Sequence, residues 1–550
     1  MDLKVKVNGK EVDITENVSF GKLLPTDYKD MSVPIVLAKQ NSKYYELTSL
    51  VSESGDIEFI DITEKVGMDT YKRTAQFIFI KATLDIFKDA KITIEHSINK
   101  GIYGEIHKGT PLTSSELLLI KNRMNEIIKS DIIIEKKKVK KNIANQVFDI
   151  YKMEDKKRLL KYVKSEKVNL YKIEDRYDYF YGSMAYSTGV LKNFDLLFYD
   201  KGFIIRLPRT KNPTELPKFK EQMKLFNVFK ETAKWLDILE VADVGALNNK
   251  LEEGSIEDII RVSEALHEKK IAKIADKFCE DSNRKIVLVA GPSSSGKTTF
   301  TKRLAVQLRV NGLKPVMISL DDYFISRDKT PLDDEGKPDF ECLEALDLAL
   351  FNSNLKDLLL GKEVEIPSFN FKKGHREWLG HKIRLNSDEV LLIEGIHGLN
   401  DRLTKEIDDK YKFKVYISAL TQLNLDNHNK ISTTDVRKIR RIVRDSLSRG
   451  YDAEKTLSMW SSIKRGEEKN IFVFQEQADV MFNSTLVYEL SVLKFLALEE
   501  LEKIDEASEV YYEAKRLKTF LKFFDDIDFN VVPYNSILRE FIGGSCFYKY

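Results

Sequence analysis

From Gly291 to Thr298 the chain reads G-x-x-x-x-G-K-T, with Pro292, Ser293, Ser294 and Ser295 between Gly291 and Gly296, and Thr299 following. Glycines at this spacing let backbone N–H groups curl round a phosphate chain, and a helix starting there aims its positive end at the same anion. Lys297 then reaches the β- and γ-phosphates of a nucleotide, and the Thr298 hydroxyl can ligate Mg²⁺. Two further acids fit this chemistry. Asp321, in Asp321-Asp322-Tyr323-Phe324, could orient and deprotonate an attacking hydroxyl, with Asp322 supporting metal or substrate; helix capping is the plain alternative for the pair. Glu394, in Glu394-Gly395-Ile396-His397, could hold the Mg²⁺ water shell, and His397 reads as structural. Lastly, Arg437, Arg440, Arg441 and Arg444 share one helical arc of roughly 100°. Four like charges repel, Asp445 lies at the edge of the stripe, and an external anion such as the phosphates of ATP is their natural partner; a solvated basic face is the alternative.

These residues need a scaffold that gathers them. Ile286 to Ala290 is an unbroken apolar run, as expected of a strand buried on both faces of a parallel sheet. Similar runs at Val316 to Leu320, Val390 to Ile393, Phe413 to Ile417 and Val480 to Phe482 recur at the intervals of alternating strands and helices. The pattern predicts an α/β fold with a mostly parallel sheet. In such sheets ligands sit beyond the carboxyl ends of the strands, which is where Asp321 and Glu394 fall.

At 550 residues, 42% hydrophobic and 32% charged, the chain can form several cores. A net charge of +2 does not suggest a general nucleic-acid binder. The run Glu135 to Lys141 (EKKKVKK) reads as a solvated face, with RNA contact by the front half as the alternative. No apolar run approaches membrane-span length and the N-terminus lacks a signal-peptide core, so a cytoplasmic protein without membrane association is expected. Cys279, Cys342 and Cys546 are too scattered for a disulfide framework or a thiolate zinc site.

In chain order, residues 1–62 read as a small mixed unit. It comprises a hairpin turning at Asn8-Gly9, a short helix at about Phe20 to Leu24, and strands near Ile35 to Lys39 and Ile57 to Asp61. Residues 63–210 read as α+β, with a helix over Thr70 to Lys88 and strands around a glycine turn from Ile94 to Ile106. Prolines from Pro208 to Pro217 mark a boundary before a helical connector at 211–280. The phosphate-loop domain spans 281–484, and 485–550 is a tail with a long helical pattern from Leu501 to Phe523. The tail's closing aromatics and Gly543-Gly544 suit plain packing, or docking on another part of the chain or on a second subunit of a homo-oligomer.

Several motifs carry family resemblances. Residues 1–62 resemble a TGS domain, a small β-grasp module, and 63–210 resemble the second additional domain of threonyl-tRNA synthetases. The zinc-binding His-x-x-x-His of that domain's editing version would fall at Arg73 and Phe77, and no cysteine precedes Cys279. A zinc deacylase would therefore lack its ligands, and His96 and His107 read as ordinary structural or surface histidines. GPSSSGKTT, SLDDYF, IPSFNF with His375-Arg376, LLIEGI, RRIVRD with SRG, and QADVMF follow the order and spacing of the uridine kinase and phosphoribulokinase family of P-loop kinases, over about Arg284 to Ser484.

That resemblance implies an ATP- or GTP-dependent, Mg²⁺-requiring kinase of a nucleoside 5′-hydroxyl, with uridine and cytidine giving UMP and CMP in pyrimidine salvage. A kinase of another small alcohol or sugar phosphate, or an RNA- or ribosome-binding protein with a nucleotide switch, is the alternative. It implies Asp321 as catalytic base beside Lys297, and Thr298 with Glu394 at the metal. Arg441, Arg444 and Arg449 would form a phosphate-gripping lid, and Asp321, Tyr323, Glu341, Phe369, His375 and Arg441 would lie at the acceptor. The chain departs from the family pattern on the acceptor side. Glu341-Cys342-Leu343 replaces the ribose-binding Asp with its His-Pro, Phe369 replaces a base-contacting Tyr, one extra residue precedes His375, and Tyr451 replaces a last lid arginine.

Overall fold

A computed structural model describes residues 3–7, 9–14, 17–333, 336–370, 372–421 and 423–548. The chain divides into two compact units: Met1–Glu221 with Ala242–Ala246 and Gln422–Lys430, and Gln222–Val241 with Leu247–Thr421 and Ile431–Tyr550.

The first unit opens with β1 (Leu3–Val7) and β2 (Lys10–Ile14), antiparallel with Val7 opposite Lys10. Gly9 takes the positive φ of +82° that the turn requires, while Asn8 lies outside the described residues. With β3 (Ile35–Gln40), β4 (Lys43–Glu46) and β5 (Gly55–Asp61) these strands form a mixed sheet in the order β2-β1-β5-β3-β4. Helix α1 (Lys65–Ile86) follows, then β6 (Lys91–Ile98), β7 (Gly101–His107) and α2 (Ser114–Lys129). A capping box starts α2: Thr113 Oγ1 accepts from Glu116 N at 3.3 Å, and Thr113 N donates to Glu116 Oε2 at 2.9 Å. Strand β8 (Glu135–Lys140), helices α3 (Lys141–Ile150) and α4 (Glu154–Tyr162), and strands β9 (Lys167–Ile173) and β10 (Arg176–Asp178) make a second layer. Strands β11 (Asp195–Tyr199) and β12 (Gly202–Arg206) complete a four-stranded sheet, β11-β12-β7-β6. Arg73 donates to the Ser183 carbonyl and Phe77 is fully buried against Phe180, so both positions serve packing. The EKKKVK segment is the edge strand of the β10-β9-β8 sheet, and its lysines are exposed, as charged residues on an edge strand should be.

The second unit begins with α5 (Met223–Leu239), continues through α6 (Val244–Glu252), whose first residues belong to the first unit, and reaches α7 (Ile256–Cys279). Then come β13 (Ile286–Ala290), α8 (Lys297–Val310), β14 (Lys314–Ser319), α9 (Leu348–Leu359), the short strands β15 (Glu363–Glu365), β16 (Ser368–Asn370), β17 (His375–Glu377) and β18 (Lys382–Arg384), and the long strands β19 (Glu389–Glu394) and β20 (Lys412–Ser418). The hairpin of β21 (Asn424–Asp426) and β22 (Asn429–Lys430) interrupts the unit and packs in the first one, where Ile94 N donates to Asn427 O at 2.7 Å. Helices α10 (Thr433–Ser448) and α11 (Ala453–Asn470), strand β23 (Val480–Asn483), and helices α12 (Glu489–Glu502), α13 (Tyr511–Leu521) and α14 (Arg539–Ile542) end the chain. The expected single helical stretch over 501–523 is broken between Glu502 and Tyr511, where Asp505 accepts the amides of Ala507 and Ser508 in turns.

The main sheet runs β14-β19-β13-β20-β23 with every pair parallel, and all five β13 residues are buried, as its uninterrupted apolar run requires. Ile286, Leu288, Ile318, Leu391 and Ile393 pack on Phe351, Leu355 and Leu358 of α9. The carboxyl ends of β13, β14 and β19 are thereby held side by side, with Val289 and Ser319 both opposite Glu394. Among the described residues no helix is long and apolar enough to cross a membrane.

Candidate active site

After β13 the chain leaves the sheet at Gly291, where a Cβ would stand 2.0 Å from the Ile417 carbonyl oxygen of β20, so the loop can pass only as glycine. Ser294 and Gly296 adopt φ of +59° and +85°, and this curl sets the start of α8. Lys297 Nζ donates to the carbonyls of Gly291 and Pro292 at 2.9 and 3.2 Å. The hydroxyls of Ser294 and Ser295 are buried without a hydrogen-bond partner among the described residues. Spare hydroxyl donors in a glycine-curled loop at a helix N-terminus can serve an oxyanion.

Thr298 Oγ1 donates to Glu394 Oε1 at 3.2 Å, and Glu394 Oε2 is buried with no hydrogen-bond partner among the described residues. One hydroxyl and one carboxylate with a spare oxygen are oxygen ligands of the kind Mg²⁺ takes, few in number because the ion keeps most of its hydration shell. Burial pushes Glu394 up to about 7, with Glu540 and Asp321 adding repulsion that Lys297 partly offsets. Lys297 is held below the ordinary lysine range by burial, against the pull of Glu394, Glu540 and Asp321.

Asp321 stands two residues beyond β14. Ser319 Oγ accepts the Asp321 amide at 3.2 Å, so the cap of this turn is Ser319 and the Asp321 carboxylate is left for other work. It is open to solvent yet crowded by protein, and that crowding holds its carboxyl above the usual range while Lys297 and Arg449 pull it down. Asp322 does not share the site as expected: its Oδ1 accepts the Phe369 amide at 3.2 Å and anchors β16.

The arginine stripe divides in two. Arg437 pairs with Glu467 and donates from Nε to Ser293 O at 2.9 Å, while Glu467 Oε1 accepts Ser293 N–H at 2.9 Å. Arg440 is fully buried, 2.5 Å from Glu489 Oε2 and 2.8 Å from Ser484 O. An external anion is therefore not the partner of these two; internal acids neutralise them, and Arg437 with Glu467 clamps both backbone groups of Ser293. Arg441, Arg444 and Arg449 instead gather on the fully buried carboxylate of Asp445, at 3.0, 3.1 and 3.7 Å. Arg441 also donates to Ser293 Oγ at 2.6 Å. Three guanidinium groups on one carboxylate leave an excess of positive charge beside the loop, the condition for gripping phosphate.

The acceptor-side residues are less concentrated. Tyr323 is fully buried, its ring edge-on to Phe351 and its Oη 3.1 Å from Asn354 Nδ2, so it belongs to the core beneath the site and presents no hydroxyl to an acceptor. Phe369 is nearly buried and packs edge-on to Phe324. His375 pairs with Asn370 across the β16–β17 hairpin with its side chain half-exposed. Glu341 joins the charge cluster: burial, and next the repulsion of Glu467, push it up to about 7 against Lys297 and Arg441. His397 is buried and driven down to about 4 by desolvation, a neutral structural histidine.

Glu467, Glu540 and Tyr548 enter the site unannounced by any motif. Thr299 N donates to Glu540 Oε2 at 3.0 Å, and Thr299 Oγ1 lies 2.9 Å from Tyr548 Oη. The one local hint was a charged pair, Arg539-Glu540, embedded in an apolar run.

Residues 286–491 match the model of the Phosphoribulokinase / Uridine kinase family. A uridine kinase of Macrococcus caseolyticus is 28% identical over 184 residues, 34% of this chain and 80% of its own length. A uridine kinase of Staphylococcus aureus is 27% identical over 33% of this chain and 77% of its own. The solved structure of a possible uridine kinase from Bacillus stearothermophilus overlays with a TM-score of 0.25 at 18% identity, over 36% of this chain and 89% of that one. The C-terminal half of this chain carries a phosphoribulokinase/uridine kinase family domain.

Proposed function

We propose that the protein transfers the γ-phosphoryl group of ATP to the 5′-hydroxyl of a nucleoside, with uridine and cytidine as the preferred acceptors. The observation that carries this reading is the convergence of Lys297, Thr298, Glu394 and Asp321 at the adjoining carboxyl ends of three parallel strands. Lys297 and the first-turn amides of α8 take the phosphate chain, and the Ser294 and Ser295 hydroxyls gain the partners they lack. Thr298 and Glu394 hold Mg²⁺, which when bound neutralises charge on the transferring phosphoryl group. Asp321, raised in basicity by its surroundings, accepts the proton of the attacking hydroxyl. Arg441, Arg444 and Arg449 supply the surplus positive charge that the phosphates meet, and Phe369 with His375 offers a ring and a hairpin edge for a base.

Because the departures from the family pattern lie at Glu341, Phe369 and the residue before His375, a different small alcohol or sugar phosphate is the second reading. Purified full-length protein, assayed for ATP consumption against uridine, cytidine, other nucleosides, pantothenate, glycerate and ribulose 5-phosphate, separates the two. Turnover with pyrimidine nucleosides is expected; turnover confined to glycerate or a sugar phosphate would replace the acceptor assignment.

A further inference from the structure

One amide of the phosphate site is already occupied. Thr299 N–H donates to Glu540 Oε2 at 3.0 Å, and the Thr299 hydroxyl lies 3.1 Å from the same oxygen. Glu540 is only 6% exposed. Its neighbours reinforce the placement: Ile537 Cγ2 stands 2.5 Å from where a Cβ on Gly296 would be, Tyr548 Oη is 2.9 Å from Thr299 Oγ1, and Lys302 Nζ donates to Phe547 O at 2.9 Å. The segment from Ile537 to Tyr548 thus lies along the loop and the first turns of α8. Amides of that turn are the groups that receive phosphate oxygens after a G-x-x-x-x-G-K-T loop. A carboxylate is an oxyanion of the same sign, and it also faces Lys297, whose ammonium Glu540 helps to keep protonated. One N–H cannot serve both acceptors at full strength.

We propose that Glu540 is an affinity-determining residue of the donor-nucleotide site: its carboxylate stands in for a donor phosphate on the Thr299 amide, and nucleotide binding displaces it together with residues 536–548. The proposal rests on the nucleotide reading above. Its consequence is that residues 536–548 and the nucleotide oppose each other, so the free site is held closed by this segment.

Two measurements on the full chain test it. The first is ATP affinity by calorimetry for wild type, Glu540→Ala and the volume-preserving Glu540→Gln. Losing a competing charge-assisted hydrogen bond should tighten ATP binding by roughly ten-fold in Glu540→Ala, with Glu540→Gln between it and wild type. The second uses Cys546, which is exposed in the tail, while Cys342 is buried and the exposed Cys279 can be removed as Cys279→Ser. Saturating ATP should speed thiol labelling of Cys546 several-fold. Unchanged or weaker ATP binding by Glu540→Ala, or labelling that ATP slows or leaves unaltered, overturns the competition while leaving the nucleotide site standing. If neither wild type nor Glu540→Ala binds ATP, the nucleotide reading itself falls; binding by Glu540→Ala alone upholds both.

Discussion

Each unit buries a lysine among carboxylates, and the two clusters are built to opposite ends. In the first unit Lys156 Nζ lies 2.8 Å from Asp426, 3.2 Å from Asp178 and 3.2 Å from the Tyr179 carbonyl, and His428 Nδ1 is 2.8 Å from Asp178. Burial alone would pull Lys156 down, but Asp178 and Asp426 more than offset it and hold it above the ordinary lysine range. Asp178 is held well below the usual carboxylate range by His428 and Lys156 despite its burial. Asp426 departs from this, raised by burial and by Asp155 even with Lys156 beside it. In the second unit Lys297 is lowered, Glu341 and Glu394 rise to about 7, and Glu394 Oε2 and the Ser294 and Ser295 hydroxyls lack partners among the described residues. The first cluster satisfies its own charges and fastens the β21–β22 hairpin. The second is left under-neutralised, which is how a site is built whose last partners arrive with a ligand.

Removing a member should therefore damage the two in different ways. Lys156→Ala strips two buried carboxylates of their cation and should destabilise the first unit by about 3–5 kcal/mol, read as a loss of midpoint in its denaturant transition. A shift below 1 kcal/mol would mean that the cluster is not the fastening described. Asp321→Asn keeps the shape and removes the base, so kcat should fall by at least about 10²-fold with ATP affinity preserved. Equal loss of ATP binding would place Asp321 on the donor side instead.

Protonation sharpens the contrast. The folded-state value of Glu394 lies above its ordinary one, so folding takes up protons, and this residue's contribution to the stability of the ligand-free protein falls as pH rises from the ordinary glutamate range to about 7. Asp178 has the opposite sign: its contribution is complete above the ordinary aspartate value and is lost as pH falls toward its depressed one. Melting temperatures between pH 5 and 8 should show that Glu394→Gln flattens a downward slope present in wild type; an unchanged slope would assign the effect elsewhere. The smallest effect is expected at Phe369→Ala, a several-fold rise in nucleoside KM through lost stacking with ATP affinity unchanged. No change in acceptor KM would remove Phe369 from the pocket.

How much of this was legible depends on distance along the chain. The loop from Gly291 to Thr299 is contiguous, and the apolar runs at 286–290, 390–393 and 480–482 are strands because nothing else buries both faces; each was readable locally. The helix over 433–448 was readable from its period, but not that Glu467 and Glu489 would neutralise Arg437 and Arg440, since those acids follow in later helices. The acceptor-side place of Tyr323 rests on the family resemblance of SLDDYF alone, whereas the turn sends its ring into the core. The tail's Glu540 reaches Thr299 across 241 positions, beyond any local pattern. Likewise, the β21–β22 hairpin looks like kinase sequence and packs with the front half because Asp426 completes a charge cluster begun at Lys156.

The most direct test is transfer of label from the γ-phosphate of ATP to uridine by wild type and by Lys297→Ala, with product identified by mass and the fold checked by its melting transition. The account predicts UMP from wild type, almost none from Lys297→Ala, and a cooperative melting transition that shows the variant still folded. Transfer by Lys297→Ala within a few-fold of wild type, or collapse of its fold, would contradict it.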